Sequence, residues 1–374
     1  MDLKLVTEVS DLKGKYVIVR SSCNVPLDGE LVRNSYRLQR ALPTLTFLKD
    51  KGARVIIISH IGRKETDSLK PVFAELSKTL PMKWGGAITD PAFAGVQNAM
   101  LDGEIVMCEN LRQDSREEEN SAELVEIMAG YGELYVNDAF AEAHRNHAST
   151  LGLAKRLPAY AGLTLAEEVI QLEQVMNPTS PSLFLLGGAK FETKMPLVEK
   201  YLKLYDQVFI GGALTNDVLK AQGFEVGQSL VSDVSLVGTP FLNDKKLLVP
   251  VDVVVEGPDG VKTKAVDQVL PDEKIFDLGP ATVKLLANYI AEAKTVLWNG
   301  PFGNYEAGFE EGTEETAKLI AEADAFSVVG GGDTVAAVEK LGLNDKFGFV
   351  SIGGGSMLTL LEHGTTDVLD ALRK

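Results

Sequence analysis

The sequence predicts an α/β fold of two Rossmann-like, three-layer domains, each built on a parallel sheet and joined by a hinge helix. Its 374 residues exceed what one hydrophobic core usually organises, although a large single barrel is the alternative at this length. Short runs rich in Val, Ile and Leu recur along the whole chain, and stretches with helical periodicity separate most of them. Alternating strands and helices favour parallel sheets with both faces covered.

The first half of the chain contains four apolar runs that predict buried strands. These runs are residues 16–20, 54–60, 104–110 and 133–138. They end in polar residues, namely Arg20, His60, Asn110 and Asp138. Because open parallel sheets bind ligands beyond the carboxyl ends of their strands, this domain is predicted to bind anions with side chains.

The second half contains a further series of predicted strands. They are residues 183–188, 207–212, 247–255, 295–300, 325–332 and 349–355. Most of them end in paired or triple glycines, where backbone amides can approach a phosphate with no side chain in the way. The second domain is therefore predicted to bind anions through its backbone.

An amphipathic stretch between the two series predicts the connecting helix, which stops at Pro178. The last residues are helical in pattern and are predicted to pack back on the first domain. The predicted divisions are 1–163 for the N-terminal domain, 164–178 for the hinge helix, 179–357 for the C-terminal domain and 358–374 for the tail.

The composition excludes several classes of protein. A formal net charge of −16 repels nucleic acid and anionic lipid, so neither is expected as a partner. Two cysteines without a CxxC or a Cys/His cluster argue against disulfides and structural zinc, and fit a reducing cytoplasm. No signal sequence and no apolar run of membrane-spanning length is present, so a cytoplasmic protein is expected.

Arginines cluster in segments near the ends of the first-half strands. Arg37, Arg63, Arg112 and Arg145 are each predicted to lie on a loop there, with His60 beside them. A guanidinium forms two parallel charge-assisted hydrogen bonds to a carboxylate or phosphate, so several from different loops would hold a doubly charged acid. An ionised carboxylate has no proton to remove, so we assign His60 a hydrogen-bonding role and not that of a general base.

In the second half, the segment GGAKFETK follows a strand and is predicted to open a helix. Lys190 and Lys194 are four residues apart in it and are predicted to contact phosphates. Asp333, in VVGGGDT, is the predicted magnesium partner, because magnesium prefers hard oxygen ligands and stays on substrate phosphates. Neither GxxxxGK[ST] nor GxGxxG occurs, which disfavours a P-loop enzyme or a dehydrogenase.

The chain resembles phosphoglycerate kinase along nearly its whole length. The shared motifs, in the family's order, are NVPL, RALPT, SHIGR, SLKP, ENLR, VNDAF, AHRNHAST, LGGAK, IGG, LPVDVVV, WNGPFG, GGGDT, AAVEK and SIGGGS. The resemblance implies that the first domain holds 3-phosphoglycerate or 1,3-bisphosphoglycerate. It implies that the second holds MgADP or MgATP, that a hinge brings the domains together, and that the protein is a monomer.

The resemblance also implies two sets of binding residues. The acid site comprises Ser22, Asn24, Arg37, His60, Arg63, Arg112 and Arg145. The nucleotide site comprises Gly188, Lys190, Lys194, Gly211, Asn299, Pro301, Glu306, Gly331, Gly332, Asp333 and Thr334. Glu306 would bind ribose hydroxyls and Asp333 magnesium. Arg37, Lys194 and the amides near Gly332 and Gly354 would stabilise the phosphoryl group in flight.

One position departs clearly from the family pattern. The usual substrate loop is RVDxN and here it is RSSCN, so Ser22 stands where an aspartate is expected to accept hydrogen bonds from the substrate. We expect altered affinity before lost catalysis. The alternative is a catalytically lapsed homologue that binds these ligands for regulation. A third candidate, a nicotinamide-dependent dehydrogenase, suits the fold class but lacks its glycine fingerprint.

Overall fold

The computed structural model describes residues 2–189, 191 and 194–374 and contains two compact units. Unit 1 ends at Ile170 and resumes over Leu358–Lys374, and unit 2 is Gln171–Met357. Each unit contains a six-stranded parallel sheet, which confirms the predicted fold class. The domain limits and the hinge role of the connecting helix stay predictions.

Unit 1 is built on strands and helices that alternate along the chain. Its strands are β1 (Tyr16–Ser21), β2 (Leu27–Asp28), β3 (Leu31–Val32), β4 (Arg54–Ile58), β5 (Lys83–Gly86), β6 (Ile105–Cys108), β7 (Leu134–Asp138) and β8 (Ala159–Ala161). The α-helices up to the unit boundary are α1 (Tyr36–Asp50), α2 (Lys70–Ser77), α3 (Phe93–Asn98), α4 (Ala122–Ala129), α5 (Leu153–Arg156) and α6 (Leu163–Met176). The sheet order β5-β6-β4-β1-β7-β8 puts β1 at its centre, between β4 and β7.

The core of unit 1 explains the continuous apolar runs of the central strands. Val17 and Val19 of β1 belong to one buried cluster with Val55 and Ile57 of β4 and with residues of α1. Alternate residues of these strands face opposite sides of the sheet. Since both faces are covered, successive positions within these strands are apolar up to their carboxyl ends, and no polar alternation appears in the sequence.

Unit 2 repeats this architecture and adds a small antiparallel sheet. Its strands are β9 (Ser182–Leu186), β10 (Gln207–Ile210), β11 (Leu247–Leu248), β12 (Asp252–Gly257), β13 (Gly260–Ala265), β14 (Lys274–Leu278), β15 (Thr295–Asn299), β16 (Phe326–Gly330) and β17 (Phe349–Val350). Its helices are α7 (Met195–Leu204), α8 (Leu214–Ala221), α9 (Pro280–Glu292), α10 (Glu311–Glu322) and α11 (Gly332–Lys340). The parallel sheet has the order β11-β10-β9-β15-β16-β17, and β13-β12-β14 form the antiparallel sheet.

The prediction of one buried strand over 247–255 is wrong. β11 pairs with β10 for two residues only, and β12 belongs to the antiparallel sheet. Pro250, between them, has no N–H for a sheet hydrogen bond. The carboxylate of Asp252 accepts hydrogen bonds from the N–H groups of Ala281 and Thr282 at 2.9 and 2.7 Å, which ties β12 to the first turn of α9.

The chain passes from unit 1 to unit 2 within α6 and returns within α12 (Gly355–His363). A last helix, α13 (Asp367–Ala371), lies in unit 1, where Asn146 Nδ2 donates to Asp367 Oδ2 at 2.6 Å. The N–H of Lys4 donates to the carbonyl of Leu372 at 2.8 Å, so the first and last segments of the chain are joined. No described helix is both long and apolar enough to cross a membrane.

Candidate active site

The predicted acid-site residues lie at one edge of the unit 1 sheet. Because β6, β4, β1 and β7 are adjacent and parallel, the loops that follow them meet at their carboxyl ends. Ser22 and Asn24 follow β1, His60 and Arg63 follow β4, Arg112 follows β6, Arg145 follows β7, and Arg37 lies in the first turn of α1. Six of these residues therefore follow four adjacent strands, whereas Arg37 lies in a helix and not on a loop as predicted.

Gly62 connects three of these loops through its backbone. Its N–H donates to Asn24 Oδ1 at 3.0 Å, and its carbonyl accepts from Arg112 Nη1 at 2.5 Å. Arg37 Nη1 in turn donates to the carbonyl of Asn24 at 2.6 Å. Gly62 has a φ of +62°, a region in which glycine has no steric penalty. The adjacent Arg63 is exposed to solvent.

Arg20 is a member of this group that the sequence analysis treated only as a strand end. It is 1% exposed, and its Nη2 lies 2.8 Å from His60 Nδ1. Its Nε donates to Ser149 Oγ at 2.9 Å, and Ser149 Oγ donates to Glu117 Oε1 at 2.5 Å. Glu117 is itself buried, so the hydrogen bonds of Arg20 end on a buried carboxylate.

The positive charges around His60 keep its imidazole neutral. A guanidinium has no acceptor, so Nδ1 of His60 must accept from Arg20, which leaves the single ring proton on Nε2. Burial, reinforced by the charges of Arg20, Arg112 and Arg145, lowers the pKa of His60 far below its usual value. A neutral imidazole with Nε2–H facing the site can donate a hydrogen bond to a bound anion.

Four of the predicted nucleotide residues border a cleft of about 550 Å³ at the carboxyl edge of the parallel sheet of unit 2. Gly188, Pro301, Glu306 and Asp333 line it, together with residues of β14 and the segment 228–230. Glu306 and Asp333 are exposed. The loops after three neighbouring strands of the sheet therefore contribute predicted residues to one cavity.

The loops after β9, β10 and β15 approach one another backbone to backbone, and we call this the glycine cradle. A Cβ on Gly187 would lie 2.2 Å from the carbonyl oxygen of Pro301, and one on Gly300 would lie 2.4 Å from that of Gly187. A Cβ on Gly212 would lie 2.7 Å from the nitrogen of Gly188. Gly188 N–H donates to the Pro301 carbonyl at 3.0 Å, which fixes the spacing of the two loops.

Lys194 lies in this region, immediately before α7. Its Nζ donates to the carbonyl of Gly187 at 2.5 Å, and burial lowers its pKa to about 8. The helix begins at Met195, later than the sequence predicted, so Lys194 precedes it. The predicted contact residue Lys190 lies outside the described residues.

The segment Gly331–Thr334 forms the start of α11. Gly331 has a φ of +101° and precedes the helix, whose first turn holds Gly332 and Asp333 with free backbone N–H groups directed out of the helix. A helix N-terminus attracts anions. A Cβ on Gly332 or Gly354 would meet no atom within 4 Å, so there is open space beside both.

The other predicted nucleotide residues do not line the cleft. Asn299 is buried within β15, where its Nδ2 lies 3.6 Å from Met357 Sδ. Gly211 is buried, and a Cβ there would lie 2.4 Å from the Phe302 ring. Thr334 is also buried. These residues are placed to support the loops of the cleft.

The cleft also contains a residue that the sequence analysis missed. Asp277 in β14 is 3% exposed and lines the cavity. Its Oδ2 accepts from the N–H of Gly312 at 3.0 Å, and burial raises its pKa to about 6. Asp277 lies in β14, which was not among the predicted strands, so no predicted strand end marked it as a site residue.

A magnesium ion carried on nucleotide phosphates fits the carboxylate of Asp333, because magnesium takes one or two protein carboxylates and keeps phosphate and water oxygens as its other ligands. Among residues 2–189, 191 and 194–374, no group of three or more His, Cys, Asp or Glu side chains could hold a metal ion.

A family model described as phosphoglycerate kinase matches residues 6–364. The chain belongs to the phosphoglycerate kinase family. It is 40% identical over 373 residues to the phosphoglycerate kinase of Roseiflexus sp., with 94% of each chain covered. It is 40% identical to that of Rubrobacter xylanophilus, with 97% of this chain and 96% of the relative covered.

Solved structures of the phosphoglycerate kinase family are similar to this chain over its length. The phosphoglycerate kinase from Coxiella burnetii is 36% identical with a TM-score of 0.83, and 99% of this chain and 98% of that chain are covered. The phosphoglycerate kinase from Pyrococcus horikoshii is 27% identical with a TM-score of 0.86 and the same coverage. The resemblance stated from the sequence motifs is confirmed.

Ser22, which departs from the phosphoglycerate kinase pattern, is 2% exposed and donates from its Oγ to Glu142 Oε2 at 2.6 Å. Glu142 lies in the loop after β7 and was not among the predicted site residues. The two residues are 120 positions apart in the chain. No local pattern in the sequence could indicate this pair.

Proposed function

We propose that this chain catalyses the reversible transfer of a phosphoryl group between 1,3-bisphosphoglycerate and MgADP, which gives 3-phosphoglycerate and MgATP in glycolysis and gluconeogenesis. It would thus act as a phosphotransferase with a carboxyl acceptor. The observation that carries this proposal is the convergence of arginines and a neutral histidine at one sheet edge of a chain in this family. Five guanidiniums in separate segments, Arg20 included, suit a small acid with carboxylate and phosphate groups.

In the acid site, we assign substrate binding to Asn24, Arg37, His60, Arg63, Arg112 and Arg145, with Ser22 beside them. The fixed spacing that Gly62 gives to Asn24 and Arg112 supports this assignment. The Nε2–H of His60 would donate to the substrate and would not remove a proton. A positively charged cluster in a protein of net charge −16 also concentrates the anionic substrate locally.

In the nucleotide site, we assign phosphate contacts to Gly188, Lys190 and Lys194 and to the amides of Gly331 and Gly332, with Thr334 beside them. Glu306 would bind the ribose hydroxyls, and Asp333 would hold magnesium. Gly211, Asn299 and Pro301 would shape the loops around the nucleotide. The backbone approach within the glycine cradle supports this, because a phosphate can reach amides that no side chain covers.

Phosphoryl transfer requires in-line positioning, exclusion of water and positive charge around three equatorial oxygens. Arg37, Lys194 and the amides near Gly332 and Gly354 would supply that charge from the protein. Magnesium, when bound, neutralises phosphate charge. Water would compete for the phosphoryl group in an open site, so we propose that closure of the two domains about α6 forms part of each turnover.

We further propose a cytoplasmic monomer that takes no nucleic acid or membrane partner. A catalytically lapsed, ligand-binding homologue is not favoured. The chain retains the four predicted arginines and Lys194, whereas a site released from catalysis would be expected to lose charged residues that are costly to hold close together.

A coupled assay of 3-phosphoglycerate-dependent ADP formation from MgATP tests the proposal, run on the wild type and on Ser22→Asp in parallel. We expect the wild type to turn over within the ordinary range of kinases, about 1–100 per second. If the wild type is silent and Ser22→Asp is active, the chain is a lapsed kinase. If both are silent, the proposed reaction is wrong.

A further inference from the structure

The loop after β7 places a buried carboxylate among the acid-site residues, and the proposed mechanism does not use it. Glu142 ends the short turn Phe140–Glu142 and is 4% exposed. Within the described part of the chain, the one hydrogen bond to its carboxylate comes from the neutral hydroxyl of Ser22. Burying a carboxylate costs free energy unless hydrogen bonds compensate it, so a single neutral donor leaves capacity for another.

This contact uses the only hydrogen-bond donor of the Ser22 side chain. A hydroxyl has one proton, and at 2.6 Å that proton is given to Glu142 Oε2. Ser22 therefore cannot also donate to a bound substrate. Its Oγ can still accept a hydrogen bond, but its one proton orients the carboxylate of Glu142.

The second oxygen of Glu142 faces the imidazole of His60. Glu142 Oε1 lies 4.0 Å from His60 Nε2, which is too long for a direct hydrogen bond. Nε2 carries the ring proton, since Nδ1 accepts from Arg20. The donor His60 Nε2–H and the acceptor Glu142 Oε1 therefore face each other across a gap. A hydroxyl group placed between them can accept a hydrogen bond from His60 and donate one to Glu142.

We propose that Glu142 accepts a hydrogen bond from the hydroxyl group of the acid substrate, while His60 donates to the same oxygen. This inference rests on the proposed function. In a glycerate phosphate, the carboxylate and phosphate are ionised acceptors, and the 2-hydroxyl is the main donor. A carboxylate that faces into a site for a polyanion therefore finds its favourable partner in that hydroxyl.

The proposal gives the departure at position 22 a physical meaning. The family pattern has a carboxylate in the loop after β1, whereas here the loop after β1 supplies Ser22 and the loop after β7 supplies Glu142. The carboxylate is retained at the site, but it comes from a different strand. Glu142 would then determine specificity for acids that carry a hydroxyl next to the carboxylate.

An alternative role for Glu142 predicts the opposite change in substrate affinity when the residue is removed. If Glu142 only balances the neighbouring arginines, its negative charge repels the substrate, and its removal would tighten substrate binding. If Glu142 accepts from the substrate hydroxyl, its removal would weaken binding of the hydroxy acid and leave an acid without the hydroxyl little affected. The sign of the change and its dependence on the hydroxyl distinguish the two roles.

Calorimetric titration tests the role of Glu142 without turnover. The two ligands are 3-phosphoglycerate and the phosphate ester of 3-hydroxypropionate, which lacks the 2-hydroxyl. We expect the wild type to prefer the hydroxy acid by about tenfold or more, the usual range for a hydrogen bond to a charged group. Glu142→Gln and Glu142→Ala should lose most of this preference. Glu123→Gln, which removes an exposed carboxylate of the same unit, is the control and should retain it.

A charge-swap variant completes the test. Ser22→Asp alone puts two carboxylates within hydrogen-bond distance and should weaken binding, whereas Ser22→Asp combined with Glu142→Ala should restore the preference for the hydroxy acid. Tighter binding by Glu142→Ala, or an unchanged preference, would overturn the proposal. If the wild type binds the acids normally but does not transfer phosphate, only the proposed function fails; if it binds neither acid, both fail.

Discussion

The ammonium group of Lys194 donates a hydrogen bond to the carbonyl oxygen of Gly187 at 2.5 Å, at the rim of the glycine cradle. This contact holds a cation beside the backbone amides proposed to bind phosphate. Burial lowers the pKa of the amine to about 8, so the charged form is held at a cost. A phosphate oxygen at this position would offset the free-energy cost of burying the charged amine, because it pairs with the ammonium.

Lys194→Ala should lower turnover by at least ~100-fold, because it removes one stabiliser of charge in the transition state. The measurement is kcat in the coupled assay at saturating substrates. Lys203→Ala, on the exposed side of α7, removes an equal charge from the helix that follows Lys194 and should stay near wild type. Near-normal turnover of Lys194→Ala would show that Lys194 does not contact the transferring group.

The lowered pKa of Lys194 predicts a pH dependence for nucleotide use. The amine is charged below its pKa of about 8, and phosphates bind the charged form, so kcat/KM for MgATP should fall as pH rises above about 8. Lys194→Arg carries a guanidinium that does not titrate in this range and should give a flatter profile. A wild-type profile as flat as that of the arginine variant would contradict this assignment.

Gly62→Ala should impair both stability and acid binding. Its Cβ would lie 1.9 Å from Asp67 Oδ2, and φ is +62°, so we expect a loss of about 1–3 kcal/mol and a raised KM for 3-phosphoglycerate. Gly29→Ala is the matched control, since its φ is +59° but its Cβ would meet nothing within 4 Å. Equal effects of the two substitutions on KM would refute a specific role for Gly62.

Asp138 should make unfolding pH-dependent. It is buried, its Oδ1 accepts from the N–H groups of Thr164 and Leu165, and burial raises its pKa to about 7. The unfolded chain loses this proton near pH 4, so the free energy of unfolding should fall as pH rises from about 4 to 7, by at most roughly 4 kcal/mol. Above pH 7 this contribution stays at its low value.

Asp138→Asn keeps an oxygen that can accept from both N–H groups but cannot ionise. Its stability relative to the wild type should therefore increase between pH 5 and pH 8, as measured by urea denaturation. Asp90→Asn is the control, because Asp90 is exposed and also accepts from a backbone N–H. Parallel pH dependence in the wild type and Asp138→Asn would rule out the raised pKa.

The parts of the fold that could be predicted are those in which burial governs every position. β1 is flanked by β4 and β7 and buried along nearly its whole length, so its sequence is a continuous apolar run. β13 has four exposed residues in succession, and the polar segment GVKTKA therefore gave no strand signal. The edge strands β5 and β8 are too short to produce a pattern.

Site residues could be predicted where charged residues recur near strand ends. They could not be predicted where the contacting residues are far apart in the sequence. Arg112 could be found because an arginine after a strand suggests anion binding. Glu142 could not, because its partner Ser22 is 120 residues away, and Arg20 could not, because its hydrogen bonds reach Ser149. Such pairs depend on strand order, which the sequence does not state.

The glycine cradle has a consequence for how this chain can diverge. Its contacts involve backbone atoms, so they impose no chemical requirement on a side chain except that none be present at Gly187, Gly212 and Gly300. A survey of all single substitutions should therefore find a sharp boundary, with one tolerated amino acid at these three positions and many at the exposed Ala189 beside them. Variation among homologues in nucleotide binding would then arise at exposed positions such as Ala189 and not at the three cradle glycines.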